Sequence, residues 1–238
     1  MDNSGSVAAL HTSGRDAGPV DVRGFGAALV DLVLPGDCAA CGAAAHPWCP
    51  QCRGEIGPST WPHLPGGPEV VAVGRYTGPL RSALLRYKER GRRDLAGPLG
   101  ALLADALHEV LGPAPVWLVP APSRPAAARA RGGDHVARLC RAVAARRSGV
   151  RVARPLRLHR RVRDSVGLDA EQRAANLAGR VRVRPAALPR FGTVVLVDDV
   201  VTTGATLRTC RDALAGAGVG VVAAAVLCDA TAFGVAAR

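Results

Sequence analysis

The sequence predicts an α/β protein, a parallel sheet flanked by helices, with a small amino-terminal zinc-binding module. Three observations carry this reading. An uninterrupted β-branched and aliphatic run at 194–197 (VVLV) suits a strand covered on both faces, and the apolar run at 116–119 (VWLV) reads as a second, short buried strand. Segments with apolar residues at helical spacing lie between such runs, the alternation that joins parallel strands through crossover helices. Four cysteines near the start fall in two CxxC pairs.

In chain order, residues 1–18 read as a disordered leader. Val22, Phe25, Leu29, Leu32 and Val33 then mark an amphipathic helix, which with the cysteines forms a first module over 19–66. The main domain spans 67–238. It opens with a strand at 69–76, after which Thr77 and Pro79 start a helix running through Leu80, Leu84 and Leu85 to Lys88. Gly91 stops it. A second helix follows Pro98, with Leu99, Leu103 and Leu107 on one side. The strand at 116–119 runs into Ala121, Pro122, Ser123 and Arg124. A helix at 134–145 carries Val136, Leu139, Cys140 and Val143 inward, and one strand falls within 150–158. Residues 159–168 form a basic loop, and the capping-box spacing of Asp169 and Gln172 predicts a helix at 170–177. After the 194–197 strand come a helix bearing Leu207, Cys210 and Leu214 and a last buried strand at 219–227.

Cys38, Cys41, Cys49 and Cys52 have the spacing of two knuckles holding one tetrahedral zinc ion through four thiolates. Zinc there is structural, with no open position, and supplies folding energy to a module with little core of its own. Redox-active or free thiols are the other reading. Cys140, Cys210 and Cys228 sit in apolar patterns and read as small core residues.

The run from Val194 to Thr206, VVLVDDVVTTGAT, carries the chemistry. Asp198 and Asp199 follow the buried run, and adjacent carboxylates about 5 Å apart repel by roughly 3 kcal/mol at an effective dielectric near 20. A helix cap needs only one acid. Vicinal ribose hydroxyls offer two donors, and magnesium also favours paired acids. Val200, Val201, Thr202, Thr203, Gly204, Ala205 and Thr206 then lead into a helix, whose free amides and dipole suit a phosphate. Gly204 is expected where backbone approaches the ligand.

Composition bounds the alternatives. No apolar run approaches the ~20 residues that span a bilayer, and the start lacks a secretory pattern, so a cytoplasmic protein is expected. One Lys accompanies thirty Arg, a bias that genome composition can share with function. Net charge is −4 over 1–74, +17 over 75–190 and −1 over 191–238. That basic centre fits phosphorylated substrates or nucleic acid, and a solvated surface is the bland alternative. Eight aromatic residues in all give little for stacking on single strands. Lys88 and Arg90 either reach a phosphate or a nucleic acid or simply end a helix in solvent. His135 and His159 lack metal-ligand spacing and read as packing or surface residues.

The Val194 to Thr206 run resembles the phosphoribosyl diphosphate (PRPP) signature of type I phosphoribosyltransferases. Together with the four-cysteine finger, YTGPLRSALLRYKERG, VPAPSR and QRAANL, it makes the chain similar to the ComF or GntX-like family. ARGGDHVARL and DSVGL depart from the usual family pattern, in segments bearing on base recognition. The resemblance implies a phosphoribosyltransferase that binds PRPP or a nucleotide 5′-phosphate with magnesium and transfers phosphoribosyl to a nitrogen acceptor. Asp198, Asp199 and Arg124 would be catalytic. The 5′-phosphate would lie on residues 200–206 and the diphosphate on Ala121, Pro122, Ser123 and Arg124. Arg160, Arg161, Arg163 and Arg173 would form a flexible hood. The other class of function is a non-catalytic nucleotide-sensing or DNA-associated protein with a DNA-uptake partner. The sequence names neither the acceptor base nor the oligomeric state.

Overall fold

The computed structural model describes residues 37–44, 46–111, 115–159 and 181–234. The expected leader, the helix around Leu29, the arginines at 160, 161, 163 and 173 and the helix at 170–177 lie outside the described residues.

Five parallel strands form the main sheet in the order β1-β7-β6-β2-β3. They are β1 (Glu69–Arg75), β2 (Val116–Pro120), β3 (Val150–Val152), β6 (Thr193–Val201) and β7 (Ala223–Asp229). Alternate residues face opposite sides, and both sides are covered. Val71, Val73, Leu118, Val195, Val197 and Leu227 pack against helices α2 (Gly78–Glu89), α3 (Ala96–His108) and α5 (His135–Ala144). Val70, Val119, Val194, Leu196 and Val226 pack against α6 (Ala205–Ala215). This double burial is why the strands read as continuous apolar runs.

From β2 the chain moves outward to β3 through α5, whereas from β6 it moves the other way to β7 through α6. Strand order therefore reverses between β2 and β6. Ligands of open α/β sheets bind in the crevice beyond the carboxyl ends at such a reversal.

Three strand expectations change. The single strand within 150–158 is two: β3, and β4 (Leu156–Leu158), which pairs antiparallel with β5 (Val181–Val183) in a separate ribbon. Pro155 causes the break, because it has no N–H for a ladder and holds Arg154 extended. The last strand begins at Ala223 rather than 219. Gly218, left-handed at φ +77, ends the preceding helix there, its N–H bonding Ala215 O and that of Val219 bonding Leu214 O. The third change, the extent of β6, belongs to the site. Helix α4 (Pro125–Ala130), after the loop at 121–124, has no buried residue and so no apolar pattern from which to read it.

The cysteine segment shares the main core. Cys38, Ala39, Trp48 and Cys52 are buried in the same cluster as Leu80, Leu84 and Leu103, beside helix α1 (Pro50–Gly54). Further on, Thr60 exchanges two backbone hydrogen bonds with Ala72 at 2.8 and 2.9 Å, covering the outer edge of β1.

Helices α3 and α5 cross closely, and Gly100 makes the crossing. A Cβ there would lie 2.6 Å from the Ala142 Cβ. Gly100→Ala should therefore destabilise the fold: about 0.5–1 kcal/mol of helix propensity is gained, but overpacking costs about 1–3 kcal/mol. Denaturant unfolding measures the balance; equal or greater stability in the variant would mean that the two helices separate freely.

Candidate functional site

Between the ends of β2 and β6 lies a cavity of about 610 Å³. Residues 198–206 and 121–124 all line it, so the fold brings the ribose, 5′-phosphate and diphosphate candidates together; Lys88 joins them, whereas Arg90 is exposed and is not among the lining residues. Arg160, Arg161, Arg163 and Arg173 fall outside the described residues.

Asp198 and Asp199 sit inside β6, not beyond its end. The strand continues to Val201 because β7 keeps pairing with it, Asp198 opposite Val226 and Val201 opposite Asp229. Successive side chains of a strand point to opposite faces, so these neighbours have different surroundings. Asp199 is buried at 7 % exposure. Its Oδ2 accepts from Lys88 Nζ at 2.7 Å and is 2.9 Å from His135 Nε2. Its Oδ1 accepts from the Val200 amide at 2.9 Å. Asp198 has one described partner: its Oδ1 accepts from the Asp199 amide at 2.8 Å.

The pair is thus electrostatically split. Burial pushes the Asp199 carboxyl up, but the hydrogen bond from His135 and the charge of Lys88 outweigh it and hold this acid well below the usual carboxylate range. Burial pushes Asp198 well above that range, and the Asp199 charge adds to the push. Burial would lower Lys88, yet Asp199 reverses the sign and keeps it a cation.

Sequence reasoning missed His135 as a site residue, and for Lys88, which it offered as a phosphate contact or a helix end, it missed the bond to Asp199. Lys88, near the carboxyl end of α2, points into the cavity rather than ending a helix in solvent. His135 opens α5, held by its Asp134 N-cap, and its carbonyl accepts from Tyr87 Oη at 2.7 Å. The packing expectation for His135 is half the story, since its ring also bonds the acid. One signal was available. In a chain with thirty arginines, the single lysine stands at 88, where a compact ammonium fits a buried carboxylate shared with an imidazole.

The turn after the acids is braced from below. Gly204 is left-handed at φ +71, and a Cβ there would meet Leu64 Cδ1 at 2.5 Å. The close approach seen here is to Leu64 of the protein, a separate reason for glycine at a position that also lines the cavity. No side chain caps α6, so the amides of its first turn have no capping acceptor and are available to an anion. Arg208 donates to Thr203 O at 2.8 Å and ties the turn to its helix.

The cysteines form a second centre. The four sulfurs of Cys38, Cys41, Cys49 and Cys52 lie within 4.8 Å of one another, and Cys41 and Cys49 are 3.7 Å apart. Tetrahedral zinc with Zn–S of about 2.3 Å places its sulfurs about 3.8 Å apart. Amides of Cys49 and Cys52 point at Cys38 Sγ (3.4 Å) and Cys49 Sγ (3.5 Å). Burial raises the Cys38 thiol, but amide hydrogen bonds overcome it and bring it down to about 6, while burial pushes Cys52 up. Four such thiols hold full charge together only around a cation. The cluster could hold zinc.

The split acids predict opposite responses to the same change. Asp198→Asn removes a carboxyl whose raised pKa withdraws stability as pH climbs from the ordinary carboxyl range, so the melting temperature at neutral pH should hold or rise. Asp199→Asn strands Lys88 and His135. Its depressed pKa supplies stability above the ordinary carboxyl range that is lost as pH falls. The neutral-pH cost should be about 2–3 kcal/mol, below the full range for a broken buried pair because the Lys88 side chain stays 29 % exposed. Thermal unfolding of both variants checks this, and equal losses would contradict the split.

No curated protein matches the chain. Two solved structures, the glutamine and glutamic acid mutants of an analysis of an invariant aspartic acid in HPRTs, each give a TM-score of 0.32 at 20% identity, covering 60% of this chain and 69% of theirs. So low a TM-score supports no argument about this chain. Among described residues no helix is long and apolar enough to cross a membrane. Residues 138–233, which contain β6, the acid pair and the turn into α6, match the family model described as phosphoribosyl transferase domain.

Proposed function

We propose that the protein binds PRPP with magnesium and transfers its phosphoribosyl group to a nitrogen nucleophile. The observation that carries the proposal is the convergence of an uncapped helix start, a strand-borne acid pair and the loop at 121–124 on one cavity at the reversal of strand order.

In this reading the amides and hydroxyls of residues 202–206 take the 5′-phosphate. Ribose hydroxyls fall mainly to Asp198, because the Asp199 oxygens already accept from Lys88, His135 and Val200. Asp199 instead fixes Lys88 and His135 beneath the sugar. Ala121, Pro122, Ser123 and Arg124 face the diphosphate. Its C1–O bond breaks as the acceptor nitrogen bonds C1, and the diphosphate leaves with the electron pair. Donors placed where that charge develops supply the catalysis.

Magnesium would arrive as part of the substrate. A carboxylate held by an ammonium and an imidazole is a poor cation ligand, and Asp198 alone remains, which suits an ion held largely by phosphate and hydroxyl oxygens. The ion supplies charge neutralisation at the diphosphate. Zinc in the four-cysteine cluster is structural in this proposal, and residues 37–66 form the module it holds. The same stretch provides Leu64 under Gly204, so the module braces the phosphate turn.

Incubating the protein with PRPP, magnesium and a panel of bases, read by mass spectrometry and diphosphate release, tests the reaction. A nucleotide product with stoichiometric diphosphate is expected. PRPP binding without product from any base would support instead a non-catalytic nucleotide sensor. Asp198→Asn should weaken PRPP binding about tenfold or more, a loss of at least ~1.4 kcal/mol, while leaving the fold intact. Unchanged affinity by calorimetry would remove Asp198 from the ribose site.

Metal analysis should find about one zinc per chain, bound as four thiolates. Removing it with a strong chelator should lower the melting temperature and disturb the α2 and α3 packing, because Cys38 and Cys52 are buried in that core. A folded preparation with no zinc would contradict the structural role.

A further inference from the structure

A second and larger cavity, about 880 Å³, adjoins the first and shares with it Pro122, Ser123, Arg124 and Leu158. Its other walls include α4, β4 and Arg184, the residue that follows β5. Besides Arg124, it is lined by Arg129, Arg154, Arg157 and Arg184, with Asp134 as its acid. That acid is already committed: Asp134 Oδ2 accepts from Arg154 at 2.9 Å, and Oδ1 caps α5 through the Ala137 amide at 3.1 Å. Among the described residues no carboxylate pairs with Arg129, Arg157 or Arg184.

The ribbon concentrates charge against its own stability. Arg157 of β4 is directly opposite Arg182 of β5, a like-charge cross-strand pair that destabilises a ribbon only three residues long. Arg184 continues the same alternation into the cavity. Guanidinium groups in a fork geometry match phosphate oxygens, and several on one concave wall focus the field on a polyanion. The volume falls in the range of small-molecule sites, roughly 300–1,000 Å³.

We propose that this cavity binds the phosphate of the acceptor, so that the acceptor is a small molecule carrying its own phosphomonoester. Its phosphate would rest on Arg157 and Arg184 while its nucleophilic end reaches past Ser123 toward the first cavity. This assignment of substrate class rests on the transfer reaction proposed above.

Calorimetry on the full chain tests it, with and without saturating magnesium and PRPP, using the four ribonucleoside 5′-monophosphates and the matching nucleosides as probes. With PRPP filling the first cavity, at least one monophosphate should bind at least about tenfold tighter than its nucleoside. The double variant Arg157→Gln, Arg184→Gln should lose about tenfold or more of that affinity and keep PRPP affinity within about twofold. If no monophosphate outbinds its nucleoside while PRPP still binds, the second site is wrong and the PRPP reading stands. An equal loss of PRPP affinity in the variant would assign the cavity to the diphosphate of PRPP and overturn the proposal. So would arginine-dependent binding of a single-stranded oligonucleotide without binding of any monophosphate. Arginine-dependent monophosphate binding in a protein that takes no PRPP would keep the anion site and defeat the transfer reaction.

Discussion

Asp199 is buried at the reversal of the sheet and is held there by an ammonium and an imidazole from two different helices. Lys88 comes from the end of α2 and His135 from the start of α5, and both meet the same carboxylate oxygen. Neither helix could shift without breaking a charge-assisted bond in a poorly solvated place, which is costly in a way that loss of an apolar contact is not. The pair of acids, the helices on one face and the mouth of the cavity are all tied to this oxygen.

From it follows the state of Asp198. A carboxyl whose neighbour stays charged, and which is itself removed from water, resists ionisation. That cost is the reverse of what selection for stability alone would place in a central strand. It is consistent with a group kept for a ligand that supplies donors or positive charge on arrival. The phosphate turn is set from the opposite face, where Leu64 fills the space under Gly204 and Thr60 Oγ1 donates to Asp229 at 3.2 Å, at the end of β7. One face of the sheet thus tunes the acids while the other fixes the turn.

Much of this was legible in the chain. The strands at β1, β2 and β6 and the helices α2, α3 and α5 announced themselves because double burial and long apolar faces leave strong periodic signals. The acid pair and TTGAT turn were legible as local chemistry, and the cysteine spacing as a cluster that could hold a metal. What was not legible is tertiary. The three-residue strands β4 and β5 are too short for any period, and Pro155 was needed to see that 150–158 divides. Nothing local to residues 88 or 135 says that they meet Asp199, which lies 111 and 64 positions further along the chain. Only the rarity of lysine in so arginine-rich a chain hinted at the first.

Unequal ionisation of two adjacent carboxyls sets the electrostatics of the whole site. The direct measurement is a carbon-detected NMR titration of the aspartate carboxyl groups in the unliganded protein, repeated on Lys88→Met. Asp199 should remain charged well below the ordinary carboxylate range and Asp198 should titrate well above it, with the Asp199 transition moving up when Lys88 is replaced. Two acids titrating together near the ordinary value, unmoved by loss of the lysine, would contradict the account.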